Sequence, residues 1–359
     1  MITSTSPVTA SSSPTSRAAG SSASTSCRCP AAERPRRPVP APRHHRPVRS
    51  AVWVAGRSVA GMAETTRFKV GVVGSFGSAR QVLDMAVGAE DAGWDGFFSW
   101  DGLSLRSMPV ETFDPWGILA AAAARTERIA LGAMVFALPR RRPWEVVQQA
   151  LTVDHLSGGR LVLPVGVGVL DDGGFSAVPG QLQGLRERAE LLDDAIAYLD
   201  RAWTGEPFAF EGTHVRAGDM RFLPRPVERA AVGHHVPLWP VGVWDADRPP
   251  LRSLDRALRA DGIVLQLRGD RGFDVPTPDD VSALVAWLTT RRAHLGLDAA
   301  RPFDVVLQGE LPADRAAAED QLAGLAAAGA TWWVEARWNP ETATPASLLD
   351  AIHAGPPRP

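Results

Sequence analysis

Cysteine is nearly absent from these 359 residues: Cys27 and Cys29 are the only two. That pair can supply neither a disulfide framework nor a cysteine-ligated metal for a chain of this size, and a reducing cytoplasm is the expected compartment. Lysine is scarcer still, with Lys69 alone against 37 arginines, a skew read as genomic base composition rather than recognition chemistry. Histidine offers no ligand set, because His44-His45 and His234-His235 are adjacent pairs whose side chains diverge, so no metal site is expected. No run of roughly 18 apolar residues occurs, which excludes a membrane-spanning helix. Excess positive charge is missing as well. The net charge is −2, and nine arginines against the single acid Glu33 in residues 1–62 leave the remainder at −10, which argues against a nucleic-acid surface.

What is present divides into two parts. Residues 1–62 are rich in Ser, Thr, Pro and Arg with almost no apolar periodicity, and disorder is expected there because too little surface can be buried to offset the entropy of ordering. Their composition is that of an organellar transit peptide, yet no amphipathic helix and no secretory apolar core are visible, and Met62 is an alternative start. With 45% hydrophobic residues, the chain can bury a large core, and residues 63–359 suit one barrel-sized domain.

The clearest local signal is Val153 to Gly168, V-D-H-L-S-G-G-R-L-V-L-P-V-G-V-G. Val146, Val147, Ala150, Leu151 and Val153 recur at helical spacing, Gly158-Gly159 supplies a left-handed stop, and Leu161 to Val165 reads as a parallel strand covered on both faces. The same alternation predicts strands near Phe68–Gly74, Gly96–Trp100, Ile129–Phe136, Leu161–Val165, Pro237–Gly242, Gly262–Gln266, Phe303–Leu307 and Thr331–Glu335. Each is followed by a helical pattern, and Pro115, Pro143 and Pro345 sit where a first helical turn lacks a partner for its N–H. The fold expected is α/β, a (β/α)8 TIM barrel. Two insertions follow the fourth strand: a Gly-rich loop at 170–184 and a hairpin over Pro207 to Leu223.

Such barrels build their sites at the C-terminal ends of the strands. The positional candidates are Ser75, Trp100 and Asp101, Val135, Gly166 and Gly168, Gly242 to Trp244, Gln266, Gln308 and Glu310, and Glu335 with Arg337. Most are apolar, aromatic or glycine, which suits a flat, phosphate-bearing cofactor. Arg140, Arg141 and Arg142 read either as a cationic rim for a cofactor phosphate or polyglutamate tail, or as a solvated loop pairing with the acidic surface. Trp100, Trp116, Trp144 and Trp244 either line the mouth or pack in the core, and Asp101 either hydrogen-bonds a cofactor ring or caps a turn.

D-H-L-S-G-G-R-L with V-G-V-G, R-T-E-R-I-A-L-G at Arg125 to Gly132, L-P-R-R-R-P-W at Leu138 to Trp144, R-A-E-L-L-D-D at Arg188 to Asp194, and W-T-G-E-P-F-A-F-E-G-T-H from Trp203 together resemble the luciferase-like monooxygenase family of flavin- or F420-dependent oxidoreductases. The resemblance implies FMN or coenzyme F420 as cofactor. It places the ring on a strand-three bulge with a non-prolyl cis peptide, matching Met134 and Val135. The phosphate then falls beside Gly242 and Val243, with Val241 and Trp244 as neighbours, and Gly166 and Gly168 lie at the ring's other edge. It also implies a small-molecule substrate, a homo-oligomer and a flavin reductase or other supplier of reduced cofactor.

The sequence departs from the family's sugar-phosphate dehydrogenase branch twice: Asp101 is followed by Gly102 where that branch has His, and Val169 stands where it has an acid. Missing both proton-transfer groups weighs against alcohol oxidation. Monooxygenation with reduced flavin, or reduction of an activated double bond, remains, and Asp101 is only a weak catalytic candidate. Two rivals stay open: a barrel glycoside hydrolase with a carboxylate pair drawn from Asp101, Glu310 and Glu335, and a degenerate flavin-binding barrel without turnover.

Overall fold

Strand β1 (Lys69–Val73) leads through helix α1 (Ala79–Asp91) to β2 (Gly96–Ser99), then α2 (Pro115–Ala123), β3 (Ala130–Ala133) and β4 (Phe136–Ala137). Helix α3 (Pro143–Ser157) precedes β5 (Leu163–Gly166), the short α4 (Gly173–Ser176), α5 (Leu185–Trp203) and the hairpin β6 (Phe208–Glu211) with β7 (Arg216–Met220). The second half repeats the unit: β8 (Leu238–Trp244), α6 (Leu251–Leu258), β9 (Gly262–Leu267), α7 (Pro278–His294), β10 (Asp304–Gly309), α8 (Arg315–Ala327), β11 (Trp332–Glu335) and α9 (Pro345–His353). This computed structural model describes residues 67–272, 274–298 and 301–359, so the expectations for residues 1–62 lie outside the described residues. Among the described residues, no helix is long and apolar enough to cross a membrane.

Nine parallel segments run in the order β3-β2-β1-β11-β10-β9-β8-β5-β4. The first and last are two halves of one strand, joined through a cis Met134–Val135 peptide. The strand expected as a single run, Ile129–Phe136, is therefore interrupted by a bulge: β3 pairs with β2, and β4 pairs with β5. Leu131 bridges directly to Leu161, so the sheet closes on itself as the eight-unit barrel that the alternation predicted.

Period-two alternation sorts the strand side chains into two cores. Val73, Phe98, Met134, Val264, Val306, Trp332 and Val334 fill the lumen with Trp239, and the larger cluster packs the strands' outer faces against the helices. Phe98, Trp239 and Trp332 meet at ring-centroid separations of 6.3, 6.2 and 5.4 Å and plug the barrel. Strand glycines make room for them: a Cβ at Gly71 would lie 2.7 Å from Phe98, and one at Gly262 2.7 Å from Trp239.

The recurrent motifs act as stitches. Helix α3 ends at Gly158 with φ 65°, as expected of its left-handed stop, and Arg160 follows. The Arg160 guanidinium donates to the Ser157, Ala123, Thr126 and Ile129 carbonyls and to Thr126 Oγ1, at 2.7–3.1 Å, using all five of its N–H groups to tie α2 and α3 to β3. Asp154, fully buried, accepts from the Val227 N–H at 2.8 Å and pairs with Arg229, fixing the approach to β8. Asp194 on α5 accepts from the N–H groups of Thr213, His214 and Val215 and so docks the hairpin turn.

Lysine has three donors and no planar fork, so Arg160→Lys leaves at least two of these acceptors without their partner. Urea unfolding is expected to show a loss of about 2–4 kcal/mol for Arg160→Lys and more for Arg160→Ala. A change below about 0.5 kcal/mol would show that the stitch contributes nothing.

Candidate active site

The C-terminal mouth of the barrel holds one cleft with two lobes, cavities of 430 and 520 Å³ that share Val135, Gly168, Val169, Val241 and Gln266. The first lobe is walled by Trp100, Leu105, Met108 and Trp338, with Gln266 and Gln308 on the floor. Both amides are lumen-facing for the reason that buries Val264 and Val306 two residues before them. The second lobe runs between β8 and helices α5 and α6, past Gly166 and Val243 to Ser253, Arg252, Arg256 and Arg268.

A buried charge cluster shapes the first lobe. Asp101, its side chain 1% exposed, accepts from the Ala137 N–H at 3.0 Å, from Arg140 Nη2 at 2.6 Å, and from Arg141 Nε and Nη2 at 3.0 and 2.7 Å. Burial alone would raise its pKa, but the Arg141 and Arg140 guanidiniums outweigh that and hold the carboxyl below the ordinary aspartate range. Arg140 also reaches Asp172 at 3.4 Å, and Arg141 reaches Asp114 at 3.2 Å. Asp172 in turn accepts from the N–H groups of Leu103, Ser104 and Gly174, while the adjacent Asp171 accepts from Ser107 N and Oγ. These two aspartates tie the Gly-rich loop after β5 to the loop after β2.

Neither reading of the arginine run holds for Arg140 and Arg141, while Arg142 fits the solvated one. Arg140 and Arg141, 10% and 14% exposed, are neither a phosphate rim nor a solvated loop, because Asp101 claims them; only Arg142, 70% exposed, faces water beside Glu145. Asp101 itself neither caps the turn that follows it nor presents a free oxygen to the cleft, since Ala137, Arg140 and Arg141 occupy it. Of the other singled-out positions, Met134, Val135, Gly168 and Val241 line the first lobe, and Gly166 and Val243 the second. Gly242 faces the other way, where a Cβ would overlap Ile263. Ser75 is buried beside the mouth with its carbonyl taking Trp100 Nε1–H at 2.6 Å, and its own hydroxyl has no hydrogen-bond partner among the described residues.

Of the four tryptophans, only Trp100 lines the mouth. Trp116 stacks on Phe136 at 4.4 Å, Trp144 meets Tyr198 and Trp244 packs on Trp287. Trp338, which sequence reasoning missed, faces Trp100 edge-on at 6.2 Å. Also missed were Arg252, Ser253 and Arg268 on the second lobe, and Arg188, which is buried and donates to the Val167 and Gly168 carbonyls at 3.0 and 2.6 Å, fixing the backbone between the lobes.

The hydrolase pair is not assembled. Glu335 has the parity of Trp333 and lies on the outer face of β11, lining a separate cavity near α8 and α9. Burial raises its carboxyl above the usual range despite Arg337 at 3.0 Å, but no second acid faces it across the mouth: Asp101 is claimed by arginines and Glu310 is exposed.

The cleft thus joins an apolar slot edged by glycine to an end that carries three guanidiniums and a hydroxyl. Residues 60–246, more than half of the sequence, match the luciferase-like monooxygenase family, and the chain belongs to it. An F420-dependent glucose-6-phosphate dehydrogenase of Intrasporangium calvum is 30% identical over 198 residues, 52% of this chain and 53% of that one, so the chain spans about half the length of this curated relative. In fold, it resembles an F420-dependent secondary alcohol dehydrogenase solved with an F420–acetone adduct (TM-score 0.62, 14% identity, 80% of this chain and 98% of that one). It also resembles the monooxygenase RslO1 of Streptomyces bottropensis (TM-score 0.61, 18% identity, 80% and 97%).

Asp101→Asn should remove the counter-charge that two buried guanidiniums share, leaving only the longer contacts to Asp172 and Asp114, a loss of about 3–5 kcal/mol in urea unfolding. The sign in pH follows from the lowered pKa: the stabilisation is complete above the ordinary aspartate range and fades as pH falls through the folded-state value. The variant's stability should therefore depend less on pH at the acid end, and parallel acid-unfolding curves for the two proteins would refute the assignment.

Proposed function

We propose that this protein is an oxidoreductase that holds reduced FMN or coenzyme F420 in the two-lobed cleft and acts on a small organic substrate. The reaction is monooxygenation or reduction of an activated double bond. The observation that carries this reading is the division of the cleft, an apolar slot at one end and three arginines at the other. The bound cofactor supplies the redox chemistry; the chain supplies its placement.

The residues present fit such a group. Met134, Val135 and Val241 give the slot an apolar face, and Gly166 narrows it: a Cβ there would come within 2.9 Å of Val135. At the other end, the Val243 N–H donates to the Ser253 hydroxyl oxygen at 3.3 Å and that hydroxyl donates to the Pro250 carbonyl at 3.2 Å, a rotatable donor that can exchange the carbonyl for a phosphate oxygen. Arg252 is exposed with no hydrogen bond or ion pair among the described residues, Arg268 is held only loosely by Asp245 at 3.3 Å, and Arg256 is committed to Asp193 at 2.5 Å. Arg188 fixes the Val167–Gly168 carbonyls beside the slot, and Trp100 and Trp338 close its far side to water.

No lining side chain is free to move a proton by the route the sugar-phosphate branch implies. Asp101 and Asp172 are bound by arginine and backbone donors, Val169 carries no acid, and the space that a side chain at Gly102 would enter is filled by the Trp100 indole. This supports the two reactions named over oxidation of a sugar alcohol. A cytoplasmic homo-oligomer served by a flavin reductase, or by another source of reduced cofactor, completes the proposal.

Titrating the protein with FMN and with F420, following quenching of each cofactor's own fluorescence, tests the reading. At least one is expected to bind in the micromolar range, with Arg252→Ala and Arg268→Ala each weakening it by about tenfold. Selective FMN binding supports oxygen chemistry and selective F420 binding supports reduction. Tight binding without turnover under any reductant would favour the degenerate barrel, and binding of neither removes the oxidoreductase reading.

A further inference from the structure

The two lobes differ in charge far more than in size, and that difference identifies the substrate class. Among the described residues, the three arginines that line the cleft are on the second lobe, and the lining of the first contains none. The charged groups on the first lobe are Asp101, Asp172 and Asp274. Two of these are paired with Arg140 and Arg141. Arg271, next to Gly272 of the lining, is engaged by Asp280 at 2.8 Å and by Asp274 at 3.5 Å. Arg106 is exposed and lies outside the lining.

An anion entering this lobe would therefore lose water beside charges that are already paired, with no lining cation among the described residues to replace the lost hydration. An apolar molecule meets the opposite situation. Trp100 and Trp338 face each other edge-on, Met108, Leu105 and Pro276 complete the wall, and Leu103, Val169, Leu170 and Trp338 leave an exposed apolar rim at the entrance. Gln266 and Gln308 provide amide donors and acceptors on the floor, enough to orient one carbonyl or hydroxyl without a charge.

We propose that the first lobe takes an uncharged, mainly apolar ring compound bearing a carbonyl or hydroxyl group, and that it excludes phosphorylated and acidic substrates. This rests on the proposed function for its placement: the cofactor ring takes the Met134, Val135 and Val241 side of the lobe, and the substrate lies between the ring and the Trp100–Trp338 wall. The recognition itself follows from the lining alone, so the two can fail separately.

The test uses the full chain without cofactor and two probes: prodan, an uncharged naphthyl ketone whose emission moves to the blue in apolar surroundings, and glucose 6-phosphate. Prodan is expected to bind saturably with a blue shift, and glucose 6-phosphate neither to bind by calorimetry nor to displace it. Trp338→Ala should weaken prodan binding by about tenfold. Met108→Glu should abolish it by placing a charge in the wall, with circular dichroism confirming that each variant is folded. Arg252→Ala should leave prodan binding within about twofold while weakening FMN or F420. Displacement of prodan by glucose 6-phosphate, or prodan binding that ignores both Trp338→Ala and Met108→Glu, overturns the inference. If prodan binds as described but neither FMN nor F420 does, the substrate-class inference stands and the oxidoreductase reading falls.

Discussion

The mouth of this barrel depends on one buried carboxylate. Asp101 accepts four hydrogen bonds, three of them from the guanidiniums of Arg140 and Arg141. Through Arg140 and Asp172 the same cluster fixes the loop after β2, the turn after β4 and the Gly-rich segment after β5. Taking several charges out of water costs several kcal/mol per ion unless each is well paired. The pairing here is nearly complete, which gives the site its shape and also removes its most prominent acid from chemistry. A residue at the end of a barrel strand, a catalytic position by strand order, anchors the walls.

The same logic explains the sequence motifs. Arg160, Asp154, Arg188 and Asp194 each serve backbone groups that loops and helix ends leave without partners. A guanidinium with five fixed donors, or a carboxylate with several acceptor positions, can satisfy more of these groups than any apolar side chain could. The motifs therefore specify how α2, α3, α5 and the hairpin attach to the strands. The candidate site lies between them, at the strand ends, where the residues are mostly valine, glycine and amide.

The barrel, its eight units, its proline-started helices and the hairpin were legible because each rests on a local signal: period-two runs, a Pro after a capping residue, or a left-handed Gly stop. The arginine run was not, because its meaning lies 39 residues away in sequence, at Asp101, and no local pattern encodes a pairing of that separation. Trp338 and Arg252 escaped for a similar reason: they lie in loops whose course is set by the barrel's closure. Glu335 is different. Trp332, Trp333, Val334 and Glu335 alternate between lumen and helix layer, so the parity that turns Glu335 away from the mouth was already present in its four residues.

Gly102 shows why a missing side chain is not simply a gap. In the sequence, it reads as the loss of a histidine. In the folded chain, a Cβ at that position would overlap the Trp100 indole, whose Nε1–H is fixed on the Ser75 carbonyl and whose edge meets Trp338. The space that a proton-transfer group would enter has become part of an aromatic wall. Reinstating the histidine alone would displace the indole and open the lobe to water, because close-packed interiors accommodate added volume poorly. At Gly102, the absence of a side chain and the presence of the apolar wall are thus one packing fact: the Trp100 indole occupies the space a side chain would need.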